Sequence, residues 1–158
     1  MRLLILLGIL CTVPGSVLAG GGSGWQSFGF DGSAFQKGAP AAAIWVRDGY
    51  LPVAGGATAA QEDQLPSGAG AVAVLGFLQS AGGKLRSHPS VVPLAGVAVT
   101  LTGNALTITG RTDASGYLIL ALPAGNYDAR LLGFSKKVTV ESGKTALVAI
   151  KGGKRMVD

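Results

Sequence analysis

The chain carries a single histidine, His88, between Ser87 and Pro89, and no Asp, Glu or Cys stands within ten residues of it. Zinc needs several converging ligands, so this imidazole does not announce a metal centre. A Ser-His-Asp relay could draw its members from distant segments, yet no serine sits in the Gly-x-Ser-x-Gly elbow that exposes a nucleophile. Asp113-Ala114-Ser115-Gly116 offers one carboxylate, whereas calcium takes roughly six to eight oxygens. Those four residues read as a turn in which Asp113 bonds its own backbone and Gly116 takes a positive φ. No catalytic residue, metal or cofactor is expected, and the chain reads as non-enzymatic.

What remains for chemistry is surface contact. Trp25, Phe28, Phe30, Phe35, Trp45 and Tyr50 crowd into the first half of the chain. Such rings either fill a core or form a platform for a sugar ring or a partner. Lys84, Arg86 and His88 share one segment between apolar runs. Trp25, Trp45, Tyr50, Lys84, Arg86 and His88 are therefore the candidate binding surface. Nucleic acid is not an expected partner, because single-strand binders interleave aromatic and basic residues, and here the two classes occupy different halves.

The elements that would position these groups are strands. Leu118, Leu120 and Leu122 fall at every second position, which in a strand puts them on one face. The same period recurs in Tyr127, Ala129 and Leu131, and again in Val138 and Val140. Seven strands are predicted, over residues 71–78, 96–101, 105–112, 117–122, 126–132, 136–140 and 145–151, with residues 84–93 as a loop. Short turns between them fit an antiparallel sandwich. Upstream, residues 20–70 form a leader rich in glycine and alanine. Within it residues 43–53 read as a hairpin closed by Asp48-Gly49 in a type I′ turn, with Pro52 confining its second strand to an edge or bulge. An isolated hairpin is marginal in water, so Trp45 and Tyr50 should pack on something, and the sandwich is the nearest platform. Residues 54–70 read as a surface connection.

Four motif pieces occur in order: Pro93-Leu94-Ala95-Gly96-Val97-Ala98-Val99, then Thr112-Asp113 with Gly116, then Leu122-Pro123-Ala124-Gly125-Asn126-Tyr127, then Val138-Thr139-Val140 with Gly143. Over residues 71–151 the chain resembles the carboxypeptidase regulatory-like domain. That resemblance implies an all-β, seven-stranded antiparallel Greek-key β-sandwich of the transthyretin type, with the leader and its hairpin outside it. It implies a scaffold and no reaction of its own, since a fold does not fix an activity. The transthyretin fold also includes a hydrolase of the urate pathway that depends on several histidines and a terminal tetrapeptide. A lone His88 and the ending Lys154-Arg155-Met156-Val157-Asp158 depart from that pattern.

Residues 1–19 read as a secretory signal: Arg2, an apolar run, a Pro14-Gly15 break, and Val17-Leu18-Ala19 before Gly20. Cleavage after Ala19 would remove Cys11, the only cysteine, leaving a secreted, periplasmic or cell-surface chain without disulfides. A membrane is met only through an uncleaved signal. Charge is unevenly divided: residues 20–83 carry two basic residues and four acids, and residues 84–158 carry ten and four, a net of −2 against +6. The last residues, 152–158, form a basic tail. Net charge of this kind speaks to solubility and to attraction by anionic surfaces rather than to a site. The expected function is an accessory, adhesion or assembly module that acts through its surface and edge strands. A protein partner or self-association is expected, and carbohydrate binding in the cell envelope is the alternative.

Overall fold

The strand Ala69–Ser80 reads AGAVAVLGFLQS, and every residue from Ala69 to Phe77 is buried. A strand with water on one face alternates; one without alternation is covered on both. This strand, β5, is the middle of the molecule. The computed structural model describes residues 24–39, 41–55, 62–80 and 90–154, and among them the chain is all-β with no helix. Before β5 come β1 (Gln26–Phe30), β2 (Phe35–Lys37), β3 (Ile44–Val46) and β4 (Val53–Ala54). After it come β6 (Ser90–Pro93), β7 (Ala98–Gly103), β8 (Leu106–Arg111), β9 (Tyr117–Pro123), β10 (Gly125–Leu131), β11 (Phe134–Val140) and β12 (Thr145–Lys154).

These strands form three layers. The middle sheet has β5 at its centre, β12 along one edge, and β9 then β6 along the other. On one side lies a sheet of order β11-β10-β7-β8. Val72 and Val74 of β5 meet Val99, Leu101, Tyr127, Ala129, Leu131, Val138 and Val140 there in a sandwich-like core. On the other side the leader supplies a sheet of order β2-β1-β3-β4. Ala73, Leu75 and Phe77 pack there against Phe30 and Ile44 in a second core. Period two thus sends alternate β5 side chains into different cores. Both cores depend on one strand, and truncating a side chain such as Leu75 to alanine typically costs about 2–5 kcal/mol.

Turn chemistry sets the order of strands. Asp113 Oδ1 accepts from the N–H of Ser115 at 2.8 Å and of Tyr117 at 3.0 Å, and Gly116 closes the turn at φ +83°. A side chain there would also press on Pro93, whose Cβ lies 2.7 Å from where it would stand. Tyr127 Oη donates to the Pro123 carbonyl at 2.7 Å, the corner bond by which a tyrosine early in a sandwich strand ties itself to the preceding turn. Thr112 is buried because its hydroxyl and backbone clip residues 94–97 to the end of β8. Tyr117 joins two layers: its hydroxyl donates to the Ala42 carbonyl of the leader at 2.6 Å.

The strands expected from alternation appear as β5 and β7 to β12. Five expectations are corrected. Residues 90–93 were expected within a loop but form β6, because the β-branched pair Val91-Val92 lies beside β5, and Ser80 bonds Ser90 hydroxyl to hydroxyl at 2.7 Å. β12 runs parallel to β5 rather than antiparallel; Leu147-Val148-Ala149-Ile150 is apolar on both faces, as a strand of a covered middle sheet must be. The expected hairpin over residues 43–53 is shorter and closes differently. Gly49 alone has a positive φ, +82°, whereas a type I′ turn needs two. Tyr50 pairs with Gln64, and β4 begins only after Pro52. The leader holds four strands in place of one hairpin. Residues 54–70 are likewise not all surface connection, since Ala69 already starts β5. The tail is shorter too, because β12 runs through Lys154.

Burial first, and the nearby Asp113 carboxylate second, push the Tyr117 phenol well above its usual 10.0. A raised phenol keeps its proton in the fold where the unfolded chain releases it, so this contribution is full below about pH 10 and is lost as pH rises further. Tyr117→Phe should cost about 1 kcal/mol, by removing the hydrogen bond to the part-buried Ala42 carbonyl. It should also flatten the alkaline decline in stability, read by urea unfolding at several pH values. An unchanged alkaline decline in the variant would deny Tyr117 this role.

Candidate functional site

The structure brings two of the candidate residues together and sets a third apart. The rings of Trp25 and Tyr50 lie 6.1 Å apart, tilted by 53°. The Arg47 guanidinium sits 4.2 Å above the Tyr50 ring and reaches Glu62 at 3.2 Å. Gln64 Nε2 donates to Tyr50 Oη at 3.4 Å. Arg47 therefore occupies the ring face that a sugar would stack on. The Arg47–Glu62 pair is half-exposed and worth at most about 1 kcal/mol, so the cluster is held mainly by ring packing and cation–π attraction. Among the described residues Trp45 enters no ring pair, and it stands 41% exposed. Its neighbours across the sheet are Ser27 and Val53. Lys84, Arg86 and His88 lie outside the described residues, as does the expected signal of residues 1–19.

Beside the cluster a half-open groove of about 360 Å3 is lined by Phe28, Val46, Arg47, Asp48, Lys144 and Thr145, among others. Among the described residues, Thr145 Oγ1 and Trp25 Nε1 are buried without a hydrogen-bond partner. Lys144 faces Glu141 at 3.3 Å, so each groove cation already has a carboxylate. Among the described residues no three His, Cys, Asp or Glu side chains converge as metal ligands would.

A second feature was not anticipated residue by residue: among the described residues β12 is a free edge. The Ala71 N–H donates to the Lys144 carbonyl at 2.8 Å, and Ala71 is the register partner of Thr145. In a parallel ladder that phase turns the backbone groups of Ala146, Val148 and Ile150 toward β5 and those of Thr145, Leu147, Ala149 and Lys151 away from it. Among the described residues no strand pairs with the outward set. One group of that set is occupied: Lys136 Nζ donates to the Ala149 carbonyl at 3.0 Å.

Lys136 has an unusual origin. It stands in β11 opposite Ala129, in the phase of Val138 and Val140, which point into the core. The inward series is thus Phe134, Lys136, Val138, Val140, and an inward charge on an edge strand is a known guard against pairing with other chains. The signal was legible as the interruption of an apolar period by one lysine. Phe134, in the same phase, is 51% exposed, and Leu132 at the hairpin tip 58%.

Comparisons of the chain with protein-family models, with curated proteins and with solved structures return no match.

Amide hydrogen exchange read residue by residue should alternate along β12: Leu147 and Ala149 fast, Val148 and Ile150 slow. Equal protection of both sets would mean that something covers this edge.

Proposed function

We propose that the protein is a secreted or periplasmic accessory module, non-enzymatic, that works by presenting strand edges and loops to a protein partner. The observation that carries this reading is the side-by-side placement of β11 and β12. Each ends its own sheet, and among the described residues the outward backbone groups of β12 have one internal partner between them. Edge strands are a standing template for another chain. The scaffold reading is a Greek-key, carboxypeptidase regulatory-like sandwich of the transthyretin type over residues 71–151, in which β6 adds to the seven strands expected. It is supported by the order of the four motif pieces and by the turn at Asp113–Gly116 and the Tyr127 corner bond. Export rests on the apolar stretch of residues 1–19.

A photo-crosslinking side chain placed at an edge, Thr107 in β8 or Thr139 in β11, should capture a protein partner in the cells that make the chain. The same group at Asp128, in mid-sheet between β7 and β11, should not. Capture that is equal at edge and centre, or absent from both edges, would count against the module reading.

Trp45 favours the second reading, carbohydrate binding, since among the described residues its indole is the one candidate ring that is exposed. Under it Trp45→Ala removes glycan binding and leaves the fold intact, whereas Tyr50→Ala acts only through the packing of the leader. Binding to a glycan array that survives Trp45→Ala would dismiss that reading.

A further inference from the structure

The free edge of β12 lies at the bottom of a trough. One wall is the β1–β2 turn, Gly32 to Ala34, with Phe30 and Phe35 beside it. The other is β11 from Phe134 to Lys137. Two cavities of about 270 and 250 Å3 occupy the trough, and Lys136 and Ala149 line both. The bond from Lys136 to the Ala149 carbonyl is therefore a partition across one continuous space, made by a flexible, exposed side chain that can leave. At roughly 3.3 Å per residue, the outward stretch from Leu147 to Lys151 can face an extended segment of similar length.

The trough's charge selects what could lie there. Lys136, Lys137 and Lys151 ring it, and none has a carboxylate partner among the described residues: Lys136 holds a carbonyl, and Lys151 Nζ holds the Gln79 amide oxygen at 2.9 Å. The nearest acid on the opposite wall, Asp31, is turned into its own loop. The N–H groups of Ala34 and Ser33 bond its carboxylate and hold its pKa below the usual range, and Gln36 adds a further bond. A strand added to β12 would send alternate side chains to the two walls. One set meets the apolar pair Phe30 and Phe35; the other meets Lys136 and the exposed Phe134.

We propose that the β12 edge takes up an extended peptide whose side chains alternate acidic and apolar, by strand addition, as Lys136 swings from the Ala149 carbonyl to the peptide's carboxylates. The proposal rests on the module reading and names the edge and the partner's chemistry. A second copy of this chain is the poorer occupant, because two-fold pairing of β12 with itself sets these lysines against their own copies. Attraction by the lysines makes the docking sensitive to salt.

The test uses the full processed chain and two synthetic nine-residue peptides, one alternating valine with glutamate and the other valine with lysine. The glutamate peptide should bind at least ten-fold tighter by fluorescence anisotropy, less so at high salt, and slow amide exchange at Leu147, Ala149 and Lys151. Lys136→Glu should reverse the preference. Ala149→Pro removes an outward N–H that β5 does not use, a position where an edge strand tolerates proline. It should abolish binding while circular dichroism and thermal unfolding show the fold retained. If Ala149→Pro perturbs the fold, Lys136→Glu, at an exposed site, still decides the matter. Equal affinity for the two peptides, binding unaffected by Ala149→Pro in a folded protein, protection appearing on another strand, or those three amides protected by self-association alone would each overturn the proposal. A chain that ignores both peptides yet cross-links from Thr107 or Thr139 loses this proposal and keeps the module reading; one that cross-links nowhere and still binds the glutamate peptide does the opposite.

Discussion

β5 touches no solvent over most of its length, and the rest of the molecule follows from satisfying it. Buried backbone groups must be hydrogen-bonded, so both edges of β5 need a partner: β12 supplies one, and β9 and β6 divide the other. Its side chains are apolar on both faces, so both faces need a cover. The β11-β10-β7-β8 sheet closes one core and the leader sheet closes the other. Without the leader, Leu75, Phe77 and Tyr117 would stand in water, and the Tyr117 hydroxyl would lose its carbonyl. The leader is therefore a structural layer, and Phe30, with Phe28 and Phe35 beside it, belongs to the second core.

Completing the middle sheet also creates its weak point. A sheet that is not closed into a barrel must end somewhere. β12 can be covered above and below, but its outer edge lies where the two outer layers part. The chain places a lysine in the core phase of the adjacent strand and uses its ammonium to hold one carbonyl of that edge. The same lysine, with Lys137 and Lys151, leaves positive charge beside the remaining groups. Protection against indiscriminate pairing and preference for an acidic strand are two consequences of one placement.

β5 and β7 to β12 were legible because their apolar period is regular and their turns carry distinctive residues, Asp113 with Gly116 and Pro123 with Tyr127, whereas the four residues of β6 were too few to stand out from a loop. The leader was not, since strands of two to five residues hold too little period to read. Asp48-Gly49 looked like a type I′ signal and is not one. The residue pairs with two left-handed residues are Asn104-Ala105 and Leu132-Gly133, where strand pairing on either side overrides the poor fit of alanine and leucine. Parallel pairing of β12 with β5 joins residues more than seventy positions apart, which no local pattern encodes. Of the candidate surface, Trp25 and Tyr50 do meet, but Arg47 lies over the Tyr50 ring, a cation whose sequence position gave no hint of it. Lys136 could have been singled out by its phase, had β11 been read for its exception rather than its period.

The claim that one doubly covered strand unites three layers is tested most directly by native-state amide hydrogen exchange against denaturant concentration. If β5 is shared by both cores, Phe28, Phe30 and Ile44 in the leader should exchange through the same global opening as Val72 to Leu75. If the leader amides open at markedly lower free energy while β5 stays protected, the leader is an appendage and the account of β5 as the common element is contradicted.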